Sequence, residues 1–375
     1  MSSQDEVEVP FVAIQVLSDR QSKKVGGAVY KRAVGSIEES MKENAISPSS
    51  IELFEFIDND QFSCLDALLN QIGKAIVYVS DEFDSKSRGD GRKVYNLLSN
   101  KNIETIHMKK SSFTKKPETA KSLQKLTGQA NQFSTTMSAE TDRPLAFGAV
   151  ECLLQALRLL DDDENLGRCD LLMGTLGQYM RMDTAASDAV MLLPKPDDPF
   201  QFGSIYGILN RCKTKMGSRL LERWLRQPLL DAVEINHRLN VVQAFKESVV
   251  SRNQLRDGVL KSIPDLNSIA MKMHKRSAGL GDLYGLYLFA RSIPRCIDGL
   301  RELIENLPSA LENSDSSSSS SSIDEIISTV TDKFVKPLEM ISNKFQVFQQ
   351  LVEHVVDFDQ LPDLKVNAQY DKRTS

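Results

Sequence analysis

The first third of the chain alternates short apolar runs with segments of helical spacing. Runs rich in Val and Ile predict four β-strands, at Phe11–Leu17, Gly26–Val34, Ser50–Ile57 and Lys74–Ser80. Apolar residues three and four positions apart predict helices between them, at Leu65, Leu68, Leu69 and Ile72 and at Val94, Leu97 and Leu98. Such alternation is typical of helices packed on a sheet. We therefore predict an α/β domain with a mixed sheet over residues 1–135.

The rest of the chain, from about Arg143, has apolar residues at helical spacing only. Phe147–Leu160 is apolar almost all round, which predicts a buried helix that ends at the acidic run Asp161–Glu164. Later stripes predict a helical bundle, for example Leu283, Leu286, Tyr287 and Ala290. The serine run at about residues 314–322 cannot bury apolar surface and predicts a disordered loop. We predict a second, all-helical domain over residues 136–375.

The stretch Phe202–Pro228 predicts two helices around a tight corner. In the first helix the apolar stripe is Ile205, Ile208, Leu209 and Cys212, and in the second it is Met216, Leu220, Leu221, Trp224 and Leu225. Thr214 stands where its hydroxyl can accept a hydrogen bond from an unpaired helix N–H, and Pro228 forbids further helix. We expect Met216, Leu220 and Trp224 to form the core of this corner.

Positive charge is concentrated at the same corner. The whole chain has a net charge of −5, yet this stretch carries six cations against the single carboxylate of Glu222. Lys and Arg bind nucleic acid by neutralising phosphates. The candidate phosphate-binding residues are Arg211, Lys213, Lys215, Arg219 and Arg223. The alternative is a solvated helix face that pairs with the acidic run Asp161–Glu164.

Several classes of chemistry have no support in the sequence. The five cysteines and four histidines are too scattered for a zinc site or a disulfide framework, so we expect reduced, mostly buried thiols. The pair Gly73-Lys74 lacks the remainder of a phosphate loop, which predicts a chain without ATPase activity. A nuclease would need clustered carboxylates, but Glu52 and Glu55 fall on opposite faces of one predicted strand. The polar N-terminus and the lack of a long apolar run predict an intracellular protein.

Three ordered motifs resemble one known family. Cys212-Lys213-Thr214, Met216–Leu221 and Trp224–Leu229 together are similar to the core-and-lever segment of MutS-type DNA mismatch-repair proteins. Tyr179–Leu193 resembles the Met-x-x-Asp helix start of that family, and Pro264–Met273 resembles its downstream lever. Asp58–Gly73 looks like the connector domain of the second eukaryotic MutS homologue.

The resemblance implies an RNase H-like α/β connector followed by an all-α core and lever. It implies a non-catalytic part of a DNA mismatch-repair protein that transmits between mismatch-binding and ATPase domains outside this chain. ATP and Mg²⁺ are expected only for the intact family member. The implied partners are a second MutS homologue in a heterodimer, a MutL-type protein bound through the connector, and DNA, bound weakly, and the implied location is the nucleus. The alternative is a helical scaffold or adaptor protein unrelated to DNA.

Overall fold

The computed structural model describes residues 9–18, 22–32, 49–101, 103–114, 116, 118–127, 143–161, 165–167, 169–174, 179–194, 203–312 and 320–355. These residues fall into two compact units. The sheet unit lies within Val7–Leu209 and takes in Glu222–Leu230. The helical unit lies within Asn210–Leu221 and Asp231–Ser375.

A six-stranded mixed sheet organises the sheet unit. Its strands are β1 (Phe11–Ser18), β2 (Lys23–Lys31), β3 (Ser49–Asp58), β4 (Ile76–Ser80), β5 (Glu104–Met108) and β6 (Cys169–Met173), in the spatial order β5-β4-β1-β2-β3-β6. Strand β2 runs antiparallel to both of its neighbours, whereas β4, β5 and β6 each run parallel to an adjacent strand. The predicted mixed sheet is confirmed, and β6 adds an edge strand that the sequence pattern did not indicate.

Helices cover both faces of this sheet. They are α1 (Ser63–Ile72), α2 (Asp90–Asn100), α3 (Thr119–Thr127) and α4 (Pro144–Leu157). Leu65 and Leu69 of α1 pack with Val94 and Leu98 of α2 on one side of the sheet. On the other side α4 contributes a long buried run from Leu145 to Leu154. The alternating pattern thus produces two apolar layers, one on each face of the sheet.

Helix α4 begins very close to the sheet. A Cβ atom at Gly26 on β2 would lie 2.3 Å from the Cβ of Leu145, so only glycine allows this approach. The carboxylate of Glu55 on β3 accepts hydrogen bonds from the backbone N–H groups of Leu145 (3.0 Å) and Ala146 (3.1 Å). These bonds satisfy two N–H groups that have no partner within the helix.

The sequence pattern placed this helix in the helical domain, but in the structure it packs on the sheet. The reason is that a helix apolar all round needs cover on every side, and the pattern does not say which element supplies it. The boundary predicted between residues 135 and 136 lies outside the described residues and stays a prediction.

Five helices follow along the chain, and the last two of them lie in the helical unit. They are α5 (Thr184–Ala189), α6 (Ile205–Leu209), α7 (Lys215–Arg226), α8 (Ala232–Glu247) and α9 (Val249–Asn253). A π-helical turn (Gln254–Val259) and a 3₁₀ turn (Leu260–Ser262) precede α10 (Leu266–His274) and α11 (Leu280–Glu312). The last described elements are helix α12 (Ser320–Val330), a second π-helical turn (Thr331–Val335) and helix α13 (Lys336–Val355). The predicted helical region is confirmed.

The core of the helical unit lies along α11. Ile293, Leu300, Leu303 and Leu307 pack with residues of α8 and α12, among them Ala244, Ile326 and Val330. Helix α12 begins at Ser320, within the stretch predicted as a loop, while residues 313–319 of that stretch lie outside the described residues. No helix among the described residues has the length and low polarity needed to cross a membrane.

Candidate functional site: the corner helix and its anchors

Helix α7 begins as the sequence indicated. The hydroxyl of Thr214 accepts a hydrogen bond from the backbone N–H of Gly217 (3.0 Å), and the carbonyl of Thr214 accepts one from Ser218 (3.1 Å). The helix ends at Arg226, two residues before Pro228. The predicted N-terminal cap and the predicted end are therefore confirmed.

The predicted core of the corner differs from the structure. No residue of α7 is fully buried: Trp224 is 40% exposed, Leu220 is 37% exposed and Met216 is half-buried. Helix α6 has only five residues, and Cys212 lies beyond it and is exposed. The 3.6-residue period of an amphipathic helix specifies an apolar face, but it does not guarantee that the described chain covers that face.

Arg219 lies on α7 and binds the residue that precedes α10. Its guanidinium makes two hydrogen bonds to the carboxylate of Asp265, at 2.8 and 2.5 Å. Both side chains are largely shielded from solvent. The bonds from Arg219 hold the pKa of Asp265 below its usual value against the opposing effect of burial, and Lys215 adds a smaller attraction. This pair joins two of the motifs that carry the family resemblance.

A second cation of the corner also has a carboxylate partner. The ammonium of Lys213 lies 3.0 Å from the carboxylate of Asp257 and lowers its pKa. Arg211 and Lys215 are exposed on the helical unit, and Arg223 is exposed on the sheet unit. Of the five candidate phosphate-binding residues, Lys213 and Arg219 are thus engaged within the chain. Their described partners are Asp257 and Asp265, while residues 162–164 of the acidic run Asp161–Glu164 lie outside the described residues, so pairing with that run stays a prediction.

The other end of α7 is anchored on helix α1, within the sheet unit. Arg226 donates to the backbone carbonyl of Asn70 (3.3 Å) and to the carboxylate of Glu222 (3.2 and 3.0 Å). The side-chain amide of Gln227 donates to the carbonyl of Gln71 (3.0 Å). These carbonyls belong to the last turn of α1, where the helix itself offers no donor. Sequence reasoning counted Arg226 only as one charge among six and did not identify either anchor.

The same turn of α1 also holds the segment that leads into α5. The buried side chain of Gln71 donates to the carbonyl of Met180 (3.3 Å), and Asn70 donates to that of Met182 (3.3 Å). The N–H of Met180 in turn donates to the carbonyl of Pro228 (2.9 Å). Three separate stretches of sequence therefore meet at one helix end.

A partly buried carboxylate completes this junction. Asp66 of α1 accepts bonds from the backbone N–H (2.7 Å) and the hydroxyl (2.8 Å) of Thr184, and it lies 2.9 Å from the ammonium of Lys101. Burial alone would raise the pKa of Asp66, but these donors outweigh it and lower the pKa. Asp183 caps α5 by accepting from the N–H of Ala186 (2.8 Å), so the helix start predicted from the Met-x-x-Asp motif is confirmed.

The remaining candidate chemistry is accounted for by structural contacts. Glu55 caps α4, and Glu52 pairs with Lys31 at 3.0 Å. Among the described residues no group of three His, Cys, Asp or Glu side chains is arranged to hold a metal ion. All five cysteines are free thiols, and burial raises the pKa of Cys152 and of Cys169 to about 12. Three of the five, Cys152, Cys169 and Cys296, are buried, in agreement with the expected mostly buried thiols, and their reduced state stays a prediction.

Comparison with known proteins agrees with the motifs. Residues 192–370 match the family model described as MutS domain III. The DNA mismatch repair protein msh-2 of Neurospora crassa is 30% identical over 308 residues, which is 82% of this chain and 31% of that protein. The DNA mismatch repair protein spellchecker 1 of Drosophila melanogaster is 28% identical over 93% of this chain and 35% of its own length. MSH2 of Saccharomyces cerevisiae is 28% identical over 82% of this chain.

The chain thus spans about a third of the length of these curated relatives. The similarity covers both units, since it extends well beyond the residues matched by domain III. It also favours the MutS interpretation over a helical scaffold unrelated to DNA. The chain belongs to the MutS family and is similar to proteins named MSH2.

Proposed function

We propose that this chain is the non-catalytic connector and lever portion of a DNA mismatch-repair protein, and that helix α7 is its transmission element. One observation carries the proposal. Residues Lys215–Leu221 of α7 belong to the helical unit and Glu222–Arg226 belong to the sheet unit, so one continuous helix runs from the first unit into the second. A helix is stiff over this length and carries a displacement of one end to the other.

Each half of the helix has its own anchor. Arg219 holds the helical-unit half through Asp265, and Arg226 holds the sheet-unit half through the end of α1. Seven residues separate these arginines, which places them on the same side of the helix and about 10 Å apart along its axis.

The proposal extends to the partners of the intact protein. Its mismatch reading and ATP hydrolysis would reside outside this chain, which carries no phosphate loop in its printed sequence. We place it in the nucleus, in a heterodimer with a second MutS homologue, with a MutL-type protein docking on the sheet unit as connector. The names of the relatives support DNA mismatch repair. We also propose that the chain passes from the connector (residues 1–135) to the core and lever (residues 136–375) near residue 135, with α4 and β6 of the second segment returning to pack with the sheet.

Direct DNA contact is a secondary part of the proposal. Because Lys213 and Arg219 are paired with carboxylates, phosphate binding would fall mainly on Arg211 and Arg223. The exposed apolar face of α7, with Leu220 and Trp224, would be covered in the intact protein. We expect this chain to bind DNA weakly.

Hydrogen exchange tests the transmission. Arg219→Ala should speed amide exchange not only near Asp265 but also in the last turn of α1, in the other unit. Arg226→Ala should speed amide exchange in the last turn of α1 and also near Asp265. Lys213→Ala is the matched control, because it removes a corner cation whose partner, Asp257, does not hold α7. If each substitution affects only its own unit, α7 does not transmit and the proposal is wrong.

A further inference from the structure

An apolar groove opens between α10 and the start of α11, within the helical unit. Its volume is about 250 Å³, and it is lined by Met273, Ala278, Gly279, Leu280 and Leu283. Met273 and Leu280 are each 48% exposed. Pockets for small-molecule ligands usually have volumes of about 300–1,000 Å³, so this groove suits one or two protein side chains better than a cofactor.

The groove is a built feature of the backbone. The carboxylate of Asp282 accepts from the N–H of Gly279 (3.1 Å) and pairs with the ammonium of Lys272 (2.7 Å), which ties α10 to α11 across the turn. The N–H groups of Arg276 and Ser277 bond back to the carbonyls of Met273 (3.0 Å) and Lys272 (2.8 Å). A hydrogen-bonded turn thus fixes the backbone that carries the apolar lining of the groove.

Arg276 occupies a position that normally favours glycine. Its φ angle is +53°, and it directly follows the last turn of α10, where a left-handed residue ends many helices. A side chain in this conformation costs about 1 kcal/mol relative to glycine. An exposed arginine at a strained position beside an apolar groove points to a function for its charge.

The charge of the segment that forms the groove is mainly positive. Lys272, Lys275 and Arg276 stand against the single carboxylate of Asp282 between residues 271 and 283. An apolar groove with a cationic rim complements a helix that presents a large apolar side chain between carboxylates. Duplex DNA would satisfy the cations but would gain nothing from Met273, Leu280 and Leu283, so the lining favours a protein partner.

We infer that this groove is a docking site for an acidic amphipathic helix of another polypeptide. The apolar side chain of the partner enters between Met273 and Leu280, and its carboxylates face Arg276 and Lys275. The inference is independent of the transmission proposed for α7, because it uses none of the residues on which that proposal rests.

Fluorescence anisotropy on the full chain tests the docking. The probe is a labelled synthetic helix with leucines on one face and flanking glutamates, compared with a twin in which lysines replace the glutamates. The acidic helix should bind and the basic twin should not. Leu280→Gln should weaken binding about tenfold, as expected for removal of an anchor contact. Leu239→Gln on α8 changes a comparably exposed leucine of the same unit and should have no effect.

Arg276→Gly separates binding from folding. It relieves the left-handed strain, so the thermal midpoint should stay level or rise, while affinity for the acidic helix should fall about fivefold or more at low salt. The inference would be overturned if the acidic helix did not bind at concentrations up to about 1 mM, which is the weak end of measurable affinities. Equal binding of the basic twin would also overturn it. So would displacement of the acidic helix by a DNA duplex together with unchanged affinity in Leu280→Gln.

Discussion

Arg219 and Asp265 form a two-bond ion pair that fixes α7 to the start of α10. Since both side chains are mostly shielded from water, loss of the pair should cost about 1–3 kcal/mol of unfolding free energy. Arg219→Lys keeps the charge but not the forked geometry, so it should recover only part of that loss.

A double-mutant cycle measured by urea denaturation checks this expectation. Arg219→Ala and Asp265→Ala should be strongly non-additive, because either change removes the same interaction. Additive losses would show that the two residues act independently. Lys213→Ala with Asp257→Ala is the matched pair at the surface and should show almost no coupling.

Acid should destabilise the sheet unit through Asp66. Its pKa is lower in the folded chain than in the unfolded chain, so the folded state binds this proton less readily. The stability it contributes is therefore present above the ordinary carboxyl pKa of about 4 and is lost as the pH falls through the lower folded value. Urea midpoints between neutral pH and pH 3 should fall on the acid side, and Asp66→Asn should flatten that fall. Stability that increases on acidification would contradict the assignment.

Trp224 should report a partly exposed surface. Its fluorescence should be red-shifted and readily quenched by iodide, since 40% of the residue is exposed. For the same reason Trp224→Ala should cost about 1 kcal/mol, well below the ~3–5 kcal/mol of a fully buried aromatic residue. A blue-shifted, unquenched spectrum would mean that the face is covered in solution. As the only tryptophan, it makes the signal unambiguous.

Gly26 should not tolerate a side chain. In Gly26→Ala the new methyl group would overlap Leu145 and the backbone of Ala146, so either α4 or β2 must move. We expect a loss of about 1–3 kcal/mol in unfolding free energy, as for an overpacked core. Gly258→Ala is the control, since a Cβ there meets nothing within 4 Å and alanine favours helical backbone. Equal effects of the two changes would refute the close approach of α4.

Matched and mismatched DNA duplexes should bind this chain equally and weakly. A net charge of −5 and the internal pairing of Lys213 and Arg219 leave few cations for phosphates, so binding should fall steeply with salt. Arg211→Gln with Arg223→Gln should reduce it further in a gel-shift titration at two salt concentrations. ATP turnover or a preference for the mismatch would show that a functional site has been misplaced.

Local sequence pattern predicted the elements better than their partners. The leucine stripe of Leu65 and Leu69 fixed α1 because burial on one face needs only local spacing. Strand β6 was missed, since five residues carry little periodicity and their pairing with β3 is a long-range property. The apolar face of α7 was recognised, but periodicity could not show that it remains partly exposed here.

The anchors of the corner could not be predicted from local sequence pattern for the same reason. Arg226 and Gln227 bind carbonyls 156 residues earlier in the chain, and a carbonyl has no signature in sequence. The pairing of Arg219 with Asp265 was also hidden, although both residues lie in motifs that had been singled out. Spacing along one helix reveals a stripe, whereas contacts between distant segments depend on the fold.

The long-range closure of the sheet unit has a consequence for how the chain folds. Ser49 on β3 pairs with Cys169 on β6, 120 residues later, and α1 receives its final cap only when Arg226 is available. Closing such large loops is slow because chain entropy is lost before the contacts form. On the ribosome, at about 5–20 residues per second, β3 and α1 would therefore lack these partners for several seconds after their own synthesis. The sheet unit is therefore the part of the chain most in need of chaperone protection during synthesis, although its sequence is translated first.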